Sequence, residues 1–198
     1  GLIFGVYAIN FLWSPLVDRI HIPYLSKKIG HRKSWIISMQ FLILILLIAW
    51  SVLNPSEDLW LVIAVGLGIA ISSATQDITI DALRIEQINE NEGRAMAAGA
   101  AISVVGWWTG YKIGGVISLV SAEYFQQKGF ENYWQLSFLL LGLIVIITSF
   151  ALLLVPEKSA KIRLSNQKKK DDELFKKLNL KSHTSKFLVW LYGTIINP

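Results

Sequence analysis

The stretch "SWIISMQFLILILLIAWSVL", residues 34–53, holds no charged side chain and is twenty residues long. That is about the length an α-helix needs to cross the hydrocarbon core of a bilayer. Inside hydrocarbon every backbone N–H and C=O must be satisfied within the segment, so such a run has few folds open to it besides helix. Comparable blocks recur at about 1–17, 58–83, 95–122 and 133–155. The excess shows in bulk composition, with 53% apolar and 17% charged residues. Soluble domains average about 45–50% and about 25%. The expected class is therefore an all-α membrane protein with five spans.

Lys and Arg set the orientation, because they favour the cytoplasmic side. The first loop carries Arg19, Lys27, Lys28, Arg32 and Lys33, and the next, "NPSED", carries no base. Arg84 and Arg94 flank the third loop; only Lys128 lies in the fourth; ten Lys or Arg residues follow Pro156 before Phe187. The alternation fits five crossings that begin outside and end inside. Trp13, Trp35, Trp50, Trp60 and Trp134 stand near span ends, where interfacial aromatics belong, whereas Trp107 and Trp108 are mid-span.

Residues 156–186 read as a basic cytoplasmic linker. Its "DDELFKKLNL" is either a solvated loop or one short amphipathic helix able to touch anionic lipid. Residues 187–198 begin a further helix or an interfacial segment. The chain opens at Gly1 within an apolar run and lacks a basic leader, so residues 1–17 do not read as a signal peptide. The expectation is a piece of a longer protein. There is no cysteine, which excludes disulfides and Cys-based metal sites.

The third span ends in polar residues. On a helix, Gly66, Ala70, Ser73, Asp77, Asp81 and Arg84 follow steps of three and four and share one face. Asp77 lies roughly 12 Å from the cytoplasmic end at about 1.5 Å per residue. A charge at the centre of a lipid-embedded helix costs about 2.5–3.5 kcal/mol on insertion scales, so such groups face a bundle interior or a wet cavity. Asp81 has two readings: a tie to Arg84 at the helix end, or a share in that cavity. Asp77 is too deep for the first. It would bind a cationic group or take up a proton.

In the fourth span Gly99, Ser103, Gly106, Gly110, Gly114 and Ser118 form a small-residue stripe, which lets helix backbones approach closely in lipid. The glycines are assigned to helix packing. Lys112 points nearly the other way and shares its face with Trp108. It either snorkels to the headgroups or faces a cavity, where an anionic substrate group suits it better than Asp77. No Ser–His pair, metal-ligand cluster or phosphate-cradling Gly loop is present, and His21, His31 and His183 fall in loops. No enzyme activity, cofactor, metal or nucleic-acid partner is expected.

The loop "SPLVDR…GHRKSW" resembles the signature loop of the major facilitator superfamily, Gly-x-x-x-Asp-Arg leading into Gly-Arg-Arg/Lys. Ser14 stands where the motif has Gly, and "HIPYLSKKI" is inserted between the two halves. With that insertion, "FLWSPLVDRIHIPYL", "SSATQDITIDALR" and, at lower specificity, "GYKIGG" resemble the AmpG family of muropeptide permeases. The resemblance implies two six-helix bundles working by alternating access, with the five spans as helices two to six. It places Asp77 and Asp81 on the water-filled path of substrate and protons; Gln76 beside them, and Lys112 and Trp108 on their own reading, are the further candidates for that path. Asp18, Arg19, Arg32, Lys33 and Arg84 would form a cytoplasmic gate. It implies proton-coupled import of anhydro-muropeptides, amino sugars bearing a peptide, across a bacterial inner membrane. An acetyl-CoA or other solute transporter of the same superfamily is the alternative, and a non-transporting receptor or scaffold a further one.

Overall fold

Proline sets the first break in the chain. The computed structural model describes residues 2–54, 57–88, 93–157, 169 and 173. Helix α1, Leu2–Ile9, gives way to a 3-10 turn at Asn10–Leu12, and α2, Ser14–Arg19, restarts with Pro15 in its first turn. Pro15 has no N–H to donate, and its ring would clash with the carbonyl four residues back. The helix is interrupted ahead of Pro15, and residues 2–19, which hold the expected first span, form three consecutive helical pieces. The short helix α3, Leu25–Ile29, then leads into four long helices: α4 (His31–Val52), α5 (Leu59–Gln87), α6 (Gly93–Gln127) and α7 (Tyr133–Leu154). No strand occurs among the described residues, so the class is all-α. Apart from residues 169 and 173, the expected linker beyond 157 and the segment 187–198 lie outside the described residues.

Three of these helices are long and apolar enough to cross a membrane: His31–Val52, Leu59–Gln87 and Tyr133–Leu152. Helix α6, expected as the fourth span, is not among them despite its 35 residues. Its glycines, serines, aromatics and Lys112 dilute its apolar character. Outward faces carry Phe41, Ile45, Ile48, Ile147 and Phe150, all exposed. In water such a surface would drive association; against lipid tails it is the ordinary exterior of a membrane helix.

Helix α4 is the centre of the packing, with α5 on one side and α7 on the other. Small residues bring these helices close. A Cβ at Gly66 would stand 3.3 Å from the Trp50 ring, and one at Gly68 3.2 Å from Leu46. The buried face of α5 is made of Ala70, Ser72, Ala74, Thr75, Thr79 and Leu83. Its hydroxyls stay satisfied by donating to carbonyls one turn back: Ser72 to Gly68 at 2.8 Å, Thr75 to Ile71 at 2.7 Å and Thr79 to Thr75 at 2.7 Å.

The first segment docks on the same helix. Val6 packs with Ala70 and Ala74 beside Tyr7, Trp13 and Leu67. Tyr7 Oη donates to Ser73 Oγ at 2.8 Å, and Trp13 Nε1 to Thr75 Oγ1 at 3.1 Å. Helix α6 leans on α7, where Ser121 Oγ bonds Ser137 Oγ at 3.0 Å, and meets α5 only near its own start.

Candidate functional site: a carboxylate face and a charged hub

The polar face expected on α5 is divided among neighbours, with Gly66 against Trp50 of α4. Its upper part, Ala70 and Ser73, is covered by α1. Below, Gln76 and Asp77 are half-buried. Asp77 has no hydrogen-bond or ion-pair partner among the described residues. One turn on, Asp81 Oδ1 accepts from Arg84 Nη2 at 2.9 Å and from Ser103 Oγ of α6 at 3.2 Å. The tie to Arg84 is thus present, and the two aspartates differ: one is engaged, one is bare.

Arg84 lies along the start of α6, where a Cβ on Gly99 would come within 3.5 Å of its Cδ and Nη1. Its Nε and Nη1 are buried without a hydrogen-bond partner among the described residues. Further along α6, Lys112 Nζ sits 6.0 Å from the centre of the Trp108 ring, and Trp107 stacks on Tyr111 at 5.8 Å. Lys112 and Trp108 are exposed, as are Trp107 and Tyr111. Around Gly106, Gly110 and Gly114 an added Cβ would meet nothing within 4 Å, so of the four stripe glycines only Gly99 touches a described neighbour.

The second cluster joins the ends of four helices. Arg32, 3% exposed in its side chain, binds Asp18 of α2 through Nη1 and Glu86 of α5 through Nε at 3.1 Å and Nη2 at 3.0 Å. From beyond the end of α7, the Glu157 carboxylate accepts the backbone N–H of Arg32 at 2.8 Å and of Lys33 at 3.0 Å. A carboxylate there satisfies N–H groups that have no partner inside the helix and complements the positive end of its dipole. Gly30 makes room for it. Its φ of +104° lies where side chains are strained, and a Cβ would overlap Glu157 Oε2. His31 Nε2 donates to the Val17 carbonyl at 3.0 Å, Trp35 Nε1 to Ile20 O at 2.8 Å, and Ser26 and Ser34 share a bond of 2.9 Å.

Of the five residues expected in the loop cluster, Asp18, Arg32 and Lys33 meet there. Arg19 adjoins it, its carbonyl accepting from His21 Nδ1 at 3.0 Å. Arg84 stands apart with Asp81. Glu86, Glu157 and Gly30 were not expected. A signal for the two acids existed: both lie at the basic ends of their helices, where an unexplained carboxylate calls for a cation. His31, expected in a loop, is instead the first residue of α4, 1% exposed and bonded to Val17 of α2.

Relatives bear on this arrangement. The family model described as Major Facilitator Superfamily matches residues 1–197. A Rickettsia felis protein named as transporter AmpG 4 is 33% identical over 192 residues, which is 97% of this chain and 40% of that protein. The anhydromuropeptide permease of Escherichia coli strain K12 is 35% identical over 158 residues, 79% of this chain and 29% of the permease. A Haemophilus influenzae protein without an assigned function is 38% identical over 120 residues, 59% of this chain and 26% of its own length. The chain therefore spans less than half the length of these relatives. With the match running nearly end to end over an all-α membrane architecture, the chain belongs to the Major Facilitator Superfamily.

Proposed function

We propose that this chain forms part of a secondary active transporter that imports anhydro-muropeptides by alternating access, driven by protons. Its helices would be the second to sixth of the first bundle, in a bacterial inner membrane, with the linker cytoplasmic. The observation that carries the reading is Asp77: a half-buried carboxylate on a membrane-length helix, without a partner among the described residues, one turn from the engaged Asp81. Such a group is costly where it stands unless it serves a wet path. A substrate amine or a proton would neutralise it. Similarity to a protein named anhydromuropeptide permease supports the choice of substrate, an amino sugar carrying a peptide.

The Asp18–Arg32–Glu86 hub, with Glu157 on the α4 terminus, supports a gating role for this loop. It ties α2, α4, α5 and the end of α7 into one charged end that a second bundle would meet as a unit. Lys112 and Trp108 stand on an open face of α6, available to a substrate carboxylate and sugar ring. The reading predicts transport without bond chemistry.

The test is uptake of a labelled anhydro-muropeptide by the full-length protein in vesicles with an imposed proton gradient. Uptake above a protein-free control that collapses with the gradient supports the reading. Equal signal in both removes it.

A further inference from the structure

At the end of the helices away from the charged hub lies a cavity of about 420 Å³, within the roughly 300–1,000 Å³ of small-molecule sites. Trp50 from the last turn of α4, Val62 from the first turn of α5, and Glu131, Tyr133, Trp134 and Phe138 at the start of α7 line it. All three helices are membrane-length, so their common end marks a membrane surface.

The aromatic walls are fixed. Trp50 stacks on Phe138 with centroids 4.8 Å apart and planes 16° apart, and Trp134 lies 6.3 Å from Phe138. The Trp50 indole rests on Gly66, where an added Cβ would stand 3.3 Å from the ring and crowd it. Glu131 is exposed and makes no ion pair among the described residues. Charge at this end is otherwise acidic, with Glu57 and Asp58 preceding α5. The one base of the α6–α7 loop, Lys128, sits over the Tyr124 ring at 5.7 Å.

Aromatic faces beside an unpaired carboxylate attract an organic cation. We propose that this cavity seats the ammonium headgroup of a membrane phospholipid, with Glu131 as counter-charge and Trp50 and Trp134 as walls. Position decides for a lipid over a soluble amine. The same helix ends expose Leu59, Trp60 and Leu139, an apolar surface along which acyl chains continue from the headgroup. An aromatic belt that only anchors the helices at the interface would show no preference for headgroup charge.

The experiment is native mass spectrometry of the purified full-length protein, with lipid retention read against mixed phosphatidylethanolamine and phosphatidylglycerol. Wild type retains the ethanolamine lipid over the glycerol lipid by about fivefold or more. Glu131→Gln abolishes that preference, and Glu131→Lys reverses it. Glu123→Gln, on the exposed face of α6, leaves it intact and controls for total charge. Equal retention in wild type and Glu131→Gln overturns the proposal. So does competition by soluble O-phosphoethanolamine at the concentrations at which the lipid binds, which would assign the cavity to soluble amines.

Discussion

Glu157 and Arg32, 125 positions apart in the chain, are joined by a 2.8 Å hydrogen bond from the Arg32 backbone N–H to the Glu157 carboxylate. The bond ties the exit of α7 to the entry of α4, and Gly30 makes it possible. Gly30→Ala places a Cβ both in a strained backbone region and in the space of the carboxylate. The expected loss is about 1–3 kcal/mol, measured by thermal unfolding of the full-length protein in detergent. Glu157→Ala removes the overlap but not the strain. The double variant should therefore be more stable than the sum of the single losses. Strict additivity would separate Gly30 from Glu157.

Arg32 holds two carboxylates from different helices through the fixed fork of its planar guanidinium, which a lysine ammonium does not reproduce. Arg32→Lys should keep the charge and lose the bridge, and Arg32→Ala should leave Asp18 and Glu86 facing each other. Asp18 and Glu86 are 43% and 33% exposed in their side chains, so water screens part of the repulsion. The cost expected for Arg32→Ala is then about 1–3 kcal/mol, below the 3–5 of a fully buried pair. Arg32→Lys falls between. Glu86→Gln in the Arg32→Ala background should recover part of the loss in the same unfolding assay.

Helical class was legible because hydrocarbon leaves a twenty-residue apolar run little choice, and the pairing of loop with loop was partly legible because a known signature carries both Asp18 and Arg32. What was not legible depends on contacts between distant parts of the chain. The spacing of the α5 stripe makes it one continuous face, yet Tyr7 and Val6 cover Ala70 and Ser73. Periodicity tells which residues share a side, not which neighbour takes that side. The basic surroundings of Glu157 announce that its carboxylate has a cationic or N–H partner, but not that the partner is the α4 terminus, 125 positions away. The break at Pro15 was readable in principle, but hydropathy outweighed it in setting a single first span.

Asp77 is where stability and transport should part. Its carboxylate has no partner among the described residues, so Asp77→Asn removes a charge that the membrane helix accommodates at a cost. Stability should rise by about 1 kcal/mol, while proton-driven uptake in vesicles falls to the protein-free level at unchanged expression. Asp81→Asn should act differently. It weakens the Asp81–Arg84 pair within α5 and the bond to Ser103 of α6, and should lower the unfolding midpoint. A fully active Asp77→Asn protein would remove the carboxylate from the transport path.

The stripe on α6 gives the last contrast. At Gly99 a Cβ meets Ile88 Cδ1 at 3.3 Å, whereas at Gly110 it meets nothing within 4 Å among the described residues. Judged by these helices alone, Gly110→Ala should stabilise, since Ala favours helix over Gly by about 1 kcal/mol. If the stripe packs on a helix beyond them, as small residues do in lipid, the sign reverses in the full-length protein. Packing predicts that Gly110→Leu costs about 1–3 kcal/mol by overfilling and lowers uptake. Gly93→Leu, at the exposed start of α6 with open space around its Cα, should change neither. Thermal unfolding and uptake of the two variants side by side decide it: equal behaviour would mean that Gly110 faces lipid, and that the helix contacts of the stripe end with Gly99 and Ser103.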